Sequence, residues 1–265
     1  MEKQERVSII LPAYNEEKRI GKTIEEYLKF FSEKKKNREI KDFEILVVLN
    51  ACKDNTIGVV KFFKKKYREI RFLNFEQGGK GFAITEGFKD ALKQKNDLIG
   101  FVDADMATKP DAFYDLIKNI GKKDGIIASR WMKGSIIKTP QTILRIITSR
   151  GFNFLTRSIL FLNYEDTQCG AKLFKRGAIE SVIDELGTAE WAFDIDMLYK
   201  LKIKGFKIKE SPTTWEDKRG SKLNLIVVPF KMFSSIIRLR FIYSPFKFVV
   251  RLYDKLPEEI KIHSW

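Results

Sequence analysis

Asp103 and Asp105 stand one residue apart in Phe101-Val102-Asp103-Ala104-Asp105-Met106-Ala107-Thr108-Lys109-Pro110-Asp111, directly after an apolar run. Carboxylates at this spacing on a compact turn offer hard oxygen ligands, the kind that Mg²⁺ or Mn²⁺ accepts while sharing substrate phosphates. A solvated, acid-rich turn is the plainer alternative, and Asp-x-Asp alone does not choose between them. Leu98 to Val102 reads as a buried strand, and Lys109-Pro110-Asp111 as a turn entering a helix. Both acids therefore fall at the carboxyl edge of a sheet, where open α/β sheets take their ligands.

The preceding residues supply that sheet. Strands are expected at Val7–Leu11, Phe43–Leu49 and Arg71–Phe75, with a further one at Gly125–Ala128. Between them, helical spacing runs through Ile20, Ile24, Leu28 and Phe31, with Asn15 as N-cap and Glu16 and Glu17 in the first turn. Further helices are expected at Ile57–Tyr67 and Ala83–Leu92. Alternating strands and helices imply an α/β fold with a mostly parallel central sheet flanked by helices. Four strand-end loops should then converge on one edge: Pro12 to Glu17, Asn50 to Asp54, Gln77 to Gly81, and the Asp103/Asp105 loop. That geometry makes a mononucleotide-type pocket, although no G-x-G-x-x-G follows a strand and Gly78-Gly79-Lys80-Gly81 lacks phosphate-loop spacing.

Composition narrows the partners. The chain has 265 residues, 50 Lys and Arg against 35 Asp and Glu, and a net charge of +15, which attracts nucleic acid, anionic lipid or phosphorylated ligands. Single-strand nucleic-acid binders pair such charge with aromatic stacking on a β platform; a basic module of that kind remains the distant alternative, and no nucleic-acid partner is expected. Cys52 and Cys169 give neither a disulfide framework nor a metal-ligand spacing and favour a reducing compartment. His263, the one histidine, lies near the C-terminus, which argues against zinc and histidine-based triads. Met1 to Arg6 does not resemble a leader, and Leu223 to Val250 is interrupted by Lys231, Arg238, Arg240 and Lys247, so no spanning helix is expected.

The second half changes character. After Thr139-Pro140, read as an N-cap and first helical proline, Ile143 to Phe161 mixes Ile, Leu and Phe with Arg145, Arg150 and Arg157. Val227 to Val249 repeats the pattern. Two helices packed on the core would explain it; so would helices lying in a membrane interface, bulky apolar and basic with few acids. The expected organisation is a domain over 1–222, with 139–163 as an amphipathic membrane-facing insertion, and a helical extension over 223–265.

A resemblance emerges from several runs together: Val7 to Glu17 (VSIILPAYNEE), Asp103 to Asp111 (DADMATKPD), Ser129-Arg130, Ser149 to Asn153, and Asp166 to Phe174 (DTQCGAKLF). The chain resembles the family 2 glycosyltransferases of GT-A fold, nearest the enzymes that glucosylate dolichyl phosphate, over about residues 5 to 225. The resemblance implies inverting transfer of a hexose, glucose foremost, from a UDP-sugar to dolichyl or polyprenyl phosphate, with Mg²⁺ or Mn²⁺. It also implies a peripheral protein on the cytoplasmic face of a membrane. A GDP-mannose donor, or a soluble or different lipid acceptor, is the alternative.

By position, the resemblance puts Pro12, Tyr14 and Glu16 at the uracil, Asp103 near the ribose and cation, Asp105 on the cation, and Lys80 at the donor phosphates. Arg130, Gln168 and Lys172 would surround the sugar or acceptor phosphate. Trp191, Asp194 and Asp196 occupy the acceptor-side acidic motif; on a helix the two acids would not share a face, and Asp194 is the one expected inward. Arg219, Ser221 and Lys222 match a basic segment that closes over phosphates in relatives. Where relatives carry an acidic pair after the second strand, this chain has Asn50, whose amide can still pair with a uracil edge.

Overall fold

The structure, a computed structural model, describes residues 4–139, 142–186, 192–216 and 227–255. Pro140, Trp191, Arg219, Ser221, Lys222 and His263 lie outside the described residues. The chain begins β1 (Arg6–Ala13), α1 (Ile20–Lys36), β2 (Asp42–Asn50), α2 (Thr56–Lys66), β3 (Ile70–Phe75), α3 (Lys80–Leu92), β4 (Leu98–Val102), α4 (Pro110–Asn119) and β5 (Gly125–Ser129). It continues β6 (Ile136–Ile137), α5 (Ile143–Leu160), β7 (Ala171–Lys175), α6 (Arg176–Val182), α7 (Phe193–Ile203), β8 (Ile208–Pro212), β9 (Thr214–Trp215), α8 (Val227–Ile242) and α9 (Lys247–Asp254).

Seven strands form the central sheet in the order β3-β2-β1-β4-β7-β5-β8. β1 pairs in parallel with β2 and β4, and β2 with β3. Apolar side chains run almost continuously along β1 and β2 because both faces of this sheet are covered. Val7, Ile9 and Leu11 face a core shared with α1, while Ile10, Leu46 and Val48 join a second core under α3 and α7. The expected mostly parallel sheet flanked by helices is what forms.

Two expectations change. α1 begins at Ile20, with no side-chain cap, and Asn15 takes φ 54° in the loop before it. Asn15 therefore shapes a turn instead of capping a helix. α3 begins at Lys80, so the lysine sits in a first helical turn and not in a loop. The sheet also holds a strand that the βαβ alternation does not announce: β7 inserts antiparallel between β4 and β5. That insertion carries Lys172 past Phe101 and brings the Asp166–Gly170 loop beside Asp103.

Candidate active site

Loops at the carboxyl ends of β1 to β4 meet through named bonds. Asn50 is buried; its Nδ2 donates to Ala13 O at 2.9 Å, and its Oδ1 accepts the Gly79 N–H at 3.2 Å. Asn15 Oδ1 accepts the Lys53 N–H, and Thr56 Oγ1 the Glu16 N–H. The fourth loop joins through Lys80 Nζ, 2.5 Å from Asp103 Oδ1. Asn50 thus clamps two neighbouring loops, leaving one amide N–H and one oxygen lone pair for a ligand. Pro12 is half-buried beside it, and Tyr14 is 54% exposed.

Asp105 Oδ1 accepts the Ala107 N–H at 2.9 Å, in a turn where Met106 has φ 64°. Burial raises the Asp105 carboxyl above its usual range, and the neighbouring Asp103 raises it further. Burial likewise raises Glu16, against the pull of Arg19, which pairs with it at 2.6 Å. For both carboxyls, burial outweighs the nearby cations. Two oxygen-rich side chains that repel one another in a half-buried turn are a fitting donor set for a hard divalent cation. A cleft of about 760 Å³ continues from Asp105 along α1, past Arg19, Lys22, Glu26 and Lys109 to Glu216.

The opposite wall is built from buried ion pairs. Arg130 grips Asp166 with Nε at 2.7 Å and Nη2 at 2.9 Å, and its backbone N–H adds a third bond. Burial pushes the Asp166 carboxyl up, but the charge and hydrogen bonds of Arg130 more than offset that and hold it below its usual value. Glu210 accepts the N–H groups of Glu165 and Asp166, fixing the start of the loop. Arg130 also lies 5.3 Å from the Trp215 ring centroid. Lys172 is fully buried and donates to Cys169 O and Asp194 Oδ1, both at 2.7 Å. Buried between Asp166 and the strand, the Cys169 thiol is pushed up to about 12.

Asp103 and Gly170 connect the walls. The Asp103 N–H donates to Gly170 O at 3.2 Å, and a Cβ on Gly170 would stand 1.9 Å from Asp103 Oδ2. Only glycine leaves room for that carboxylate. Gln168 lies in the same loop, its N–H donating to Asp166 Oδ1. Asp194 and Asp196 face different ways: Asp194 meets Lys172, while Asp196 is sealed inside with Lys200 at 2.6 Å and the Tyr243 hydroxyl at 3.1 Å. Sequence reading gave no role to Asp166, Gly170, Arg19 or Tyr243. Asp166 and Gly170 open and close the run that carries Gln168, so their signal was present; the Tyr243 contact spans 47 residues and had none.

A nucleotide-type sheet edge with paired aspartates and a second wall of charge-paired side chains is the architecture of a nucleotide-sugar transferase. Residues 8–183 match Glycosyl transferase family 2, and the chain belongs to that family; it is a glycosyltransferase. It is 32% identical over 246 residues to a dolichyl-phosphate beta-glucosyltransferase of Dictyostelium discoideum, covering 89% of this chain and 74% of that protein. The enzyme of that name from Drosophila melanogaster is 35% identical over 230 residues, 82% of this chain and 69% of its own. Among solved structures, glucosyl-3-phosphoglycerate synthase from Mycobacterium tuberculosis, in complex with Mn²⁺, UDP and phosphoglyceric acid, matches the fold. Its TM-score is 0.67 at 15% identity, with 91% of this chain and 80% of that chain covered.

Proposed function

We propose that this glycosyltransferase moves glucose from UDP-glucose to the phosphate of a dolichyl or related polyprenyl lipid, with inversion at the anomeric carbon. The observation that supports the reading is the junction of Asp103 with Gly170 and Lys80, where the Asp103/Asp105 edge, read here as the diphosphate site, meets the wall of charge-paired side chains. The names of the relatives supply the sugar and the acceptor.

Chemically, the acceptor phosphate oxygen attacks the anomeric carbon, the bond to the donor diphosphate breaks, and UDP leaves with the electron pair. A phosphate monoester has a second pKa of about 6, so the nucleophile is anionic near neutral pH and needs no strong base. Asp105, with Asp103, would hold Mg²⁺ or Mn²⁺, which supplies charge stabilisation to the leaving diphosphate. Pro12, Tyr14, Glu16 and Asn50 frame the base. Lys80 faces the donor phosphates. Lys172 fixes Asp194, which orients a sugar or acceptor hydroxyl. Arg130, Gln168 and the segment with Arg219, Ser221 and Lys222 receive the acceptor phosphate.

The lipid is met at a surface. α5 exposes Ile143, Ile147 and Phe154, followed by Phe161, and α5 packs on α8. Phe233, Phe246, Phe248 and Leu252 are exposed on the C-terminal helices. Arg150, Arg157 and Arg240 accompany them, Arg240 over the Phe161 ring at 5.7 Å. Among the described residues no helix is long and apolar enough to cross a membrane. A basic, aromatic face of this kind seats in an interface, and the free cysteines agree with the reducing, cytoplasmic side. Ile236 and Leu239 of α8 are core residues, so this face is best tested by point substitution.

Incubating the protein with radiolabelled UDP-glucose, GDP-mannose and other nucleotide sugars, with and without polyprenyl phosphate vesicles, tests the proposal. Lipid-soluble label from UDP-glucose, dependent on the polyprenyl phosphate, is expected. Equal transfer to a soluble acceptor without lipid contradicts it. Phe154→Ser with Phe161→Ser should lower vesicle binding and leave thermal stability unchanged, because both side chains already face solvent.

A further inference from the structure

Asp103, Asp105 and Asp194 all act on one ammonium, that of Lys80, with Asp103 Oδ1 the nearest at 2.5 Å. The backbone delivers the ammonium there. Lys80 is the first residue of α3, behind Gly79 at φ 121°, and the Gly79 N–H is held by Asn50 Oδ1. Asp103 is held close by its N–H bond to Gly170 O, and its carboxylate lies against the bare face of Gly170. Among the described residues, no three His, Cys, Asp or Glu side chains form a ready cation cage. The protein therefore offers a divalent ion an incomplete ligand set, and its own cation is already paired with one member of that set.

We propose that Lys80 is a built-in competitor for the divalent cation, so that the ion is taken up more readily together with a nucleoside diphosphate than alone. The diphosphate completes the ligand set and also gives the ammonium a new anionic partner, freeing Asp103 for the ion. No covalent bond changes; one ion pair is exchanged for two. The pair is half-exposed, 44% for the lysine side chain and 34% for the aspartate, and such pairs are weak, contributing a factor of about five or less. An arriving diphosphate can displace it, whereas a dilute cation alone competes poorly. The proposal deepens the glycosyl-transfer reading and rests on its cation at Asp103 and Asp105.

The test is Mn²⁺ binding to the full-length protein without nucleotide, read as free Mn²⁺ by electron paramagnetic resonance. Lys80→Met keeps the length of the side chain and removes its charge; at this half-exposed position the fold is expected to persist, which thermal melting verifies. Lys80→Met should bind Mn²⁺ about fivefold more tightly than the wild type, while its affinity for UDP falls. Lys80→Arg should behave as wild type, and adding Asp105→Asn to Lys80→Met should erase the gain. Unchanged or weaker Mn²⁺ binding in Lys80→Met overturns the proposal, since a lysine that only contacts phosphate would leave ion binding untouched. Sugar transfer does not enter this readout: failure of every nucleotide-sugar donor would overturn the functional reading while a gain in Mn²⁺ affinity still upheld the competitor.

Discussion

Asp103 and Asp105 on one side of the candidate site, and Asp166 and Asp194 on the other, are all aspartates, yet the protein treats the two pairs differently. On the proposed donor wall the carboxylates are partly open and mutually repelling, with the half-exposed Lys80 ammonium against Asp103 and Arg19 near Asp105. On the proposed acceptor wall each carboxylate has its own buried cation, Arg130 for Asp166 and Lys172 for Asp194. The first arrangement leaves binding capacity for a ligand. The second commits most of that capacity to holding a loop and a strand in place, because an isolated charge in such a setting is costly. Availability and rigidity come from one residue type through what surrounds it.

The largest expected effect follows from breaking the rigid wall. Asp166→Ala should cost about 3–5 kcal/mol, leaving Arg130 buried without its partner. Thermal melting should show a drop of roughly 10 °C for a chain of this size. The same pair sets a pH dependence. Asp166 has a folded-state pKa below the ordinary 3.8, so its contribution is complete above that value and disappears as the pH falls through the lower folded value. The stability gap between wild type and Asp166→Asn should therefore narrow below about pH 4; a constant gap would mean that the pair is not the source.

Gly170→Ala probes the seam between the walls. The added methyl must push Asp103 aside, so UDP binding in the presence of Mn²⁺ should weaken by roughly tenfold, with a loss of stability of about 1–3 kcal/mol. Calorimetric titration against wild type checks this. Smaller still is Tyr243→Phe, which removes one hydrogen bond to buried Asp196 and should lower stability by about 1 kcal/mol. Should Tyr243→Phe also slow transfer from vesicle-borne acceptor, the contact just after α8 would be shown to steady α7 and hence Asp194.

The same contrast explains what was legible in the sequence. β1 to β4 and their helices stand out because apolar runs buried on both faces alternate with helical spacing, and their loops carry Asn50, Lys80 and the aspartates in plain view. The start of α3 was obscured by Gly79-Lys80-Gly81, which reads as loop chemistry. Gly81 lies inside the helix and leaves room for Phe193, since a Cβ there would stand only 2.8 Å from the Phe193 side chain. The rigid wall is written across distance. Arg130 and Asp166 are 36 residues apart, and β7 reverses direction between β4 and β5 without any local sign. Motif reading grouped Arg130, Gln168 and Lys172, which the fold brings to one wall, but the partners that hold them had to be seen in space.

The most direct test of the open donor wall is UDP affinity, measured by calorimetry with and without Mn²⁺, in wild type and Asp105→Asn. Wild type should bind UDP far more tightly with Mn²⁺, and Asp105→Asn should lose that enhancement while melting no lower than wild type, since burial and Asp103 both disfavour the charge on Asp105. Identical Mn²⁺ enhancement in the two proteins would contradict the account.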